Sequence, residues 1–227
     1  MNERFTVLLR FSVALMPHIP LIDIPFVDSK HRFLAAQPRW LDADFPKNIP
    51  EYLVAESKSY GNLERRQLFL QSRLMIHSII DEKMGSPNDL RILKEDSDKP
   101  YGLMANQQIH ISISHSSSTV FTIIDPNNML GIDAELINRS HKPDVRQRIM
   151  HPEEKITDDL QSVDTILLWV VKESILKLIG SGLRVSMSSI CLQKHSKDRF
   201  GCRINDQNIQ TSVMAYQHHY LAISEYI

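Results

Sequence analysis

The order of its segments predicts an α+β protein made of two comparable subdomains. In each half a helical pattern precedes a run of short strand candidates, and the strands follow one another through turn-forming residues. That rhythm argues against a doubly wound parallel sheet, where strands and helices would alternate. With 227 residues, 42% of them hydrophobic, the chain can also bury a sizeable core as one large or two small domains.

Along the chain, the apolar run from Phe5 to Met16 is interrupted by Arg10, and no small-residue cleavage site follows it. It reads as a strand or core segment rather than a signal peptide. No segment reaches the roughly 18 uninterrupted apolar residues of a membrane helix. Residues 17 to 50 carry Pro17, Pro20, Pro25, Pro38, Pro46 and Pro50 and predict extended, loop-rich structure. From Asn62 to Ile80, residues Leu63, Leu70, Leu74, Ile76 and Ile80 recur at helical spacing, with Arg65, Arg66 and Arg73 interleaved. Asp81 to Gln108 reads as turns and one short strand. Ile109, Ile111 and Ile113 alternate with His110, Ser112 and Ser114, a half-buried strand, and Val120 to Ile124 gives another. The turn Asp125-Pro126-Asn127-Asn128 leads into a strand from Met129 to Leu136. Helices are expected near Asp144, at Pro152-Glu153-Glu154, and from Val163 to Ile179, where Gly180-Ser181-Gly182 supplies the stop. Strands are expected at Ser189 to Lys194, Phe200 to Ile204, Thr211 to Gln217 and Tyr220 to Ile227. No repeat and no low-complexity tract stands out in the sequence.

Charge narrows the partners. The 26 basic and 27 acidic residues nearly cancel, so no global field favours nucleic acid. Cys191 and Cys202 are too few for a disulfide framework and lack metal-ligand spacing, which predicts reduced thiols in a cytoplasmic protein.

Chemistry concentrates in two stretches, Gly131-Ile132-Asp133-Ala134-Glu135 and Trp169-Val170-Val171-Lys172-Glu173-Ser174-Ile175-Leu176-Lys177. On a strand, the period of two puts Asp133 and Glu135 on one face; on a helix, Glu173 and Lys177 share a face at i, i+4. Each residue alone has an ordinary explanation, and Glu173 with Lys177 is a common helix-stabilising pair. What sets the group apart is the acid pair inside an otherwise apolar strand, since acids are depleted there. Hard oxygen ligands in this number suit Mg²⁺ shared with a diphosphate. Mn²⁺ accepts the same octahedral oxygen set.

These two stretches together resemble the paired signature of the 4′-phosphopantetheinyl transferase superfamily. Further features follow in the expected order: Arg65-Arg66 before Phe69-Leu70 and Arg73, Lys99-Pro100, Ser112-Ile113-Ser114-His115-Ser116, Pro152-Glu153-Glu154, and Gly180-Ser181-Gly182-Leu183. By length the chain is similar to the monomeric type that activates nonribosomal peptide and polyketide synthases. The resemblance implies two similar α+β halves about a pseudo-twofold axis, residues 1–127 and 128–227, with CoA in the cleft between them. It implies transfer of phosphopantetheine from CoA to a serine of an apo acyl or peptidyl carrier protein, with release of 3′,5′-ADP, and no membrane partner. It assigns Asp133, Glu135 and Glu173 to Mg²⁺, Glu173 to the serine proton, and Lys177 and Lys172 to the diphosphate. Ser114, His115, Lys99, Pro100 and Arg66 are assigned to the phosphates and nucleotide end of CoA.

A serine-hydrolase reading of Ser114 or Ser116 with His115 fails on geometry, because adjacent strand residues face opposite ways and no nucleophile elbow is present. His218-His219 lies outside every motif and reads as structural. A Mg²⁺-dependent phosphohydrolase and a silent carrier-binding module are the alternative classes. The first predicts phosphate release without a carrier, and the second predicts loss of a ligand or of Lys177, none of which is lost here.

Overall fold

A computed structural model of the chain describes residues 22–23, 32–85, 90–95, 97 and 99–227. The apolar run Phe5 to Met16 lies outside them. The first half contains β1 (Ile22–Asp23), β2 (Phe33–Pro38), α1 (Glu51–Ser57), α2 (Leu63–Met84), β3 (Arg91–Lys94), β4 (Pro100–Met104), β5 (Gln107–His115) and β6 (Thr119–Asp125). Its strands form a six-stranded sheet in the order β1-β2-β6-β5-β4-β3, antiparallel throughout. The second half contains β7 (Leu130–Leu136), α3 (Val145–Ile149), α4 (Asp158–Gln161), α5 (Thr165–Leu178), β8 (Gln193–Lys194), β9 (Arg199–Ile204), β10 (Gln207–Tyr216) and β11 (His219–Tyr226). These strands form a five-stranded antiparallel sheet, β7-β11-β10-β9-β8. The α+β class and its two subunits of structure are therefore present. Among the described residues no helix is long and apolar enough to cross a membrane.

Both long helices begin where side chains cap them. Asn62 accepts from the Arg65 amide at 2.8 Å, and Asp164 accepts from the Ile166 and Leu167 amides at 2.8 and 3.1 Å, so α5 starts at Thr165 rather than Val163. Gly85 and Gly180, at φ 83° and 69°, end them in the conformation that glycine adopts without strain.

The stretch expected to be loop-rich departs most from expectation. Proline density hid β2, whose Leu34, Ala35 and Ala36 are buried and which pairs with β6 from Phe33↔Ile124 to Pro38↔Thr119. Asp81 to Gln108 holds two strands, β3 and β4, instead of one. Conversely, only Gln193–Lys194 of the strand expected from Ser189 forms, because Met187–Ser189 turns as a 3-10 segment whose Ser186 hydroxyl accepts from the Ser188 amide.

A repeat invisible in the residues is plain in the topology. Apart from β1, each half reads strand, helices, then a four-stranded meander, with the strand before the helices pairing against the last strand, β2 with β6 and β7 with β11. The β4–β5 turn places Ala105 and Asn106 at φ 49° and 63°, and the β9–β10 turn places Asn205 and Asp206 at φ 49° and 63°. The register Ile111↔Ile124 recurs as Thr211↔Ser224, and Ala35↔Thr122 recurs as Asp133↔Ala222. Asp133 and Glu135 thus occupy the positions that Ala35 and Gln37 hold in the first half. Arg32 joins another equivalent pair, donating from Nε to Asp125 at 2.8 Å and from Nη2 to Glu225.

Strand alternation sorts the core into layers. Ala35, Ile109, Ile111 and Ile124 pack beneath Ile76, Ile79 and Ile80 of α2. Leu34, Ala36, Phe121 and Ile123 meet Ile132, Ala134, Leu221 and Ile223 between the sheets. Phe200, Ile209 and Ala222 pack under α5. β7 is an edge strand, and its outward amides meet side chains of β5: Ile132 N–H donates to the Ser112 hydroxyl at 3.0 Å and Ala134 N–H to Ser114 at 3.1 Å.

Close packing of α5 on β7 depends on Gly131. A Cβ there would overlap the backbone carbonyl of Ser174 and the backbone nitrogen of Leu178, neither of which can swing away. Gly131→Ala is expected to cost about 1–3 kcal/mol, the usual range for overpacking, and to push Glu173 and Lys177 away from β7. Urea unfolding measures the first effect, and stability within about 0.5 kcal/mol of the parent would contradict it.

Candidate active site

Asp133 and Glu135 project from β7 toward α5, and Glu173 and Lys177 project from α5 toward them. Lys177 Nζ donates to Asp133 Oδ1 at 2.7 Å. The same oxygen accepts from the Ser114 hydroxyl at 2.8 Å. Asp133 is buried, and its second oxygen, Oδ2, is shielded from solvent without a hydrogen-bond partner. A desolvated carboxylate oxygen left bare is costly unless something else satisfies it.

The Asp133 charge is close enough to shift both glutamates. Glu135 is pushed up to about 7, chiefly by burial, with Arg139 opposing and the Asp133 charge adding to the rise. Glu173 is raised as well, first by burial and then by Asp133, while Lys177 and Arg139 pull it back. Charges of one sign gathered in low dielectric repel, and each raises its neighbour's proton affinity. A divalent cation beside the bare Asp133 Oδ2 would relieve both the missing partner and the repulsion. The donors these three residues offer are hard oxygens, the kind that Mg²⁺ or Mn²⁺ takes.

Sequence reasoning missed Arg139. It pairs with Glu135 four residues earlier, and its guanidinium lies 5.6 Å from the Trp169 ring centroid. The spacing in Glu135-Leu136-Ile137-Asn138-Arg139 was visible, but the chain leaves β7 between the two residues, so neither helical nor strand periodicity pairs them.

Three of the expected phosphate contacts have other duties. Lys172 is fully buried, and its ammonium donates to Glu154 Oε2 at 2.6 Å and to the carbonyls of Ile149, Ile190 and Met187 at 2.8, 2.8 and 3.2 Å. It braces the second half, with its ammonium directed to these four oxygens rather than to the carboxylate cluster. Ser114 is buried too, with its hydroxyl donating to Asp133 and accepting from Ala134, so in this structure it positions the carboxylate. Lys99, also buried, donates to the Leu178 carbonyl at 2.8 Å, next to Lys177; burial lowers it to about 8.

His115 ends β5 with its ring exposed. Loss of solvation, then the Lys177 and Arg39 cations, hold it below the usual histidine range. It is thus a neutral ring beside the carboxylate cluster. Pro100 opens β4 opposite Lys94. Arg66 sits in the first turn of α2, donating from Nε to the Tyr60 carbonyl at 2.9 Å; no described hydrogen bond joins it to the carboxylates. His219 is buried against Ser116 and Phe121, a structural place.

Comparison with known proteins points to one family. Residues 129–227 match the family model of the 4′-phosphopantetheinyl transferase superfamily. A curated relative, 4′-phosphopantetheinyl transferase gsp from Aneurinibacillus migulanus, is 27% identical over 164 residues, covering 70% of this chain. The match spans 66% of that relative's length, just under two thirds.

Proposed function

We propose that this chain, which is similar through residues 129–227 to the 4′-phosphopantetheinyl transferase superfamily, transfers phosphopantetheine from CoA to a serine of an apo acyl or peptidyl carrier protein. The observation that supports the reading is the meeting of β7 with α5, which sets Lys177 on Asp133 Oδ1, leaves Asp133 Oδ2 buried without a partner, and brings Glu135 and Glu173 within electrostatic reach of that carboxylate. Residues 1–127 and 128–227 are taken as its two subdomains, and the protein as a cytoplasmic monomer.

In this reaction the carrier serine oxygen forms a bond to the β-phosphorus of CoA, the diphosphate P–O bond breaks, and 3′,5′-ADP leaves with the electron pair. Such a transfer asks mainly for alignment and for neutralisation of charge on the phosphoryl oxygens. Mg²⁺, held by Asp133, Glu135 and Glu173, supplies that neutralisation when bound. Glu173, whose proton affinity burial and the Asp133 charge raise, accepts the serine proton. Lys177 is fixed by Asp133 and presents its remaining donors to the diphosphate. His115, neutral and exposed, offers a ring nitrogen to a CoA phosphate.

Intact-mass spectrometry of several apo carriers incubated with the protein, CoA and Mg²⁺ tests the proposal. A mass increase equal to phosphopantetheine, absent in Glu173→Ala, supports it. Phosphate release without a carrier would favour a phosphohydrolase, and CoA or carrier binding without modification would favour a silent module.

The high proton affinity of Glu135 gives a second expectation. Its carboxyl in the metal-free protein takes up a proton as pH falls through about 7, and that proton competes with the cation. Mg²⁺ affinity should therefore weaken toward acid pH. Arg139 links Glu135 to Trp169, so Trp169 fluorescence in a Trp40→Phe background reports the titration. A Glu135→Gln variant should bind more weakly with a flatter pH profile. An unchanged profile in that variant would remove Glu135 from the site.

A further inference from the structure

Lys172 and Glu154 lie next to a cluster that the transfer reaction does not use. We propose that His151, Glu153 and Cys191 form a second cation site, suited to Zn²⁺ or a similar borderline-soft divalent ion. One ligand atom from each lies within 4.8 Å of the others. Nitrogen, oxygen and sulfur together are a donor set that Zn²⁺ accepts and Mg²⁺ does not favour. Three protein ligands leave the fourth tetrahedral position to water.

The framework behind these donors is rigid, which an accidental surface grouping would lack. Glu153 and Cys191 come from segments 38 residues apart. The fully buried Glu154 carboxylate spans both, accepting from the His151 amide at 2.7 Å through Oε2 and from the Leu192 amide at 2.7 Å through Oε1. Lys172 holds that carboxylate and also the carbonyls of Ile149 and Ile190. The residues flanking the ligands in both segments are therefore pinned to one ammonium–carboxylate pair. Little conformational freedom remains to be lost when a cation arrives.

Without a cation, the ligands occupy one another. Cys191 Sγ donates toward Glu153 Oε2 at 3.6 Å, and His151 Nδ1 accepts from the Glu153 amide at 3.2 Å. Binding replaces the thiol proton, which passes to buffer, and leaves a thiolate on the cation. Cys191 is partly exposed whereas Cys202 is buried, so only the first thiol can be reached. A bound ion would cross-link the two loops that brace Lys172, and so stiffen the support of α5.

Cobalt(II) serves as the probe, because a thiolate ligand gives Co²⁺ an intense charge-transfer absorption that oxygen ligands do not. The full-length protein should develop this band at one equivalent of Co²⁺, lose it on adding Zn²⁺, and keep it in excess Mg²⁺. Cys191→Ser should abolish the band, and His151→Ala should require more Co²⁺ to reach it. Cys202→Ser and Asp133→Ala should leave it unchanged, with circular dichroism confirming that each variant is folded. Absence of the band in the parent, its survival in Cys191→Ser, or its loss in folded Asp133→Ala would each overturn the proposal. None of these outcomes depends on carrier modification.

Discussion

Asp133→Ala is expected to lower carrier modification by at least about a thousandfold while leaving the chain folded. Removing one electrostatic stabiliser of a developing charge typically costs about 10²–10³ in rate, and this carboxylate does more than one such job. On the proposed reading it offers the bare Oδ2 to the cation, and it fixes Lys177 through Oδ1 and receives the Ser114 hydroxyl. Alanine therefore releases Lys177 and removes a ligand in one step. Stability should change little, because the substitution also removes an unsatisfied buried oxygen and relieves repulsion on Glu135 and Glu173. Mg²⁺ titration and initial modification rates should fall together, with thermal unfolding close to that of the parent. A variant that kept its Mg²⁺ affinity would remove Asp133 from the metal site.

The largest stability loss is expected from Glu154→Ala. Lys172 and Glu154 are both fully buried. Breaking such a pair leaves an uncompensated charge and costs about 3–5 kcal/mol. For a chain of this size that corresponds to a fall in melting temperature on the order of 10 °C. Burial already lowers the proton affinity of Lys172, and the Glu154 hydrogen bond and charge oppose that trend. Without Glu154 nothing in the immediate shell carries the opposite sign. The double substitution Glu154→Leu with Lys172→Met should recover much of the loss, since apolar replacement of a buried pair is often neutral. Calorimetry of the two variants decides the point. Equal melting temperatures for Glu154→Ala and the parent would show that the three carbonyls alone hold Lys172.

The carboxylate cluster was legible because its geometry is local. A period of two and an i, i+4 spacing each place a pair of side chains, and only the meeting of β7 with α5 had to be supplied by the fold. Lys172 was misleading for the opposite reason. It neighbours Glu173 in sequence and looks like another charge for the same ligand, but its partner lies 18 residues away and the helix turns it into the core. Ser114 likewise carries a signal only across sheets, where its hydroxyl meets a strand of the other half. The strand β2 was obscured by surrounding prolines even though Phe33-Leu34-Ala35-Ala36 is an apolar run. The two similar halves were legible in the order of helices and strands, whereas no residue-level repeat marks them, because turn conformation and register recur while side chains diverge. Asp133 answers to Ala35 and Glu135 to Gln37, so the acids that define the site are among the positions where the halves differ.

The serine seam along β7 also bears on solubility. An edge strand with free amides invites a strand from another molecule, the route to intermolecular sheets and aggregates. Here the outward amides of Ile132 and Ala134 are taken by hydroxyls of Ser112 and Ser114 from the same chain. The strand that carries the acids is thereby closed to foreign backbones without being locked into a continuous sheet. Short, buried hydroxyl side chains fill the hydrogen-bonding positions along this edge that a further strand would otherwise take.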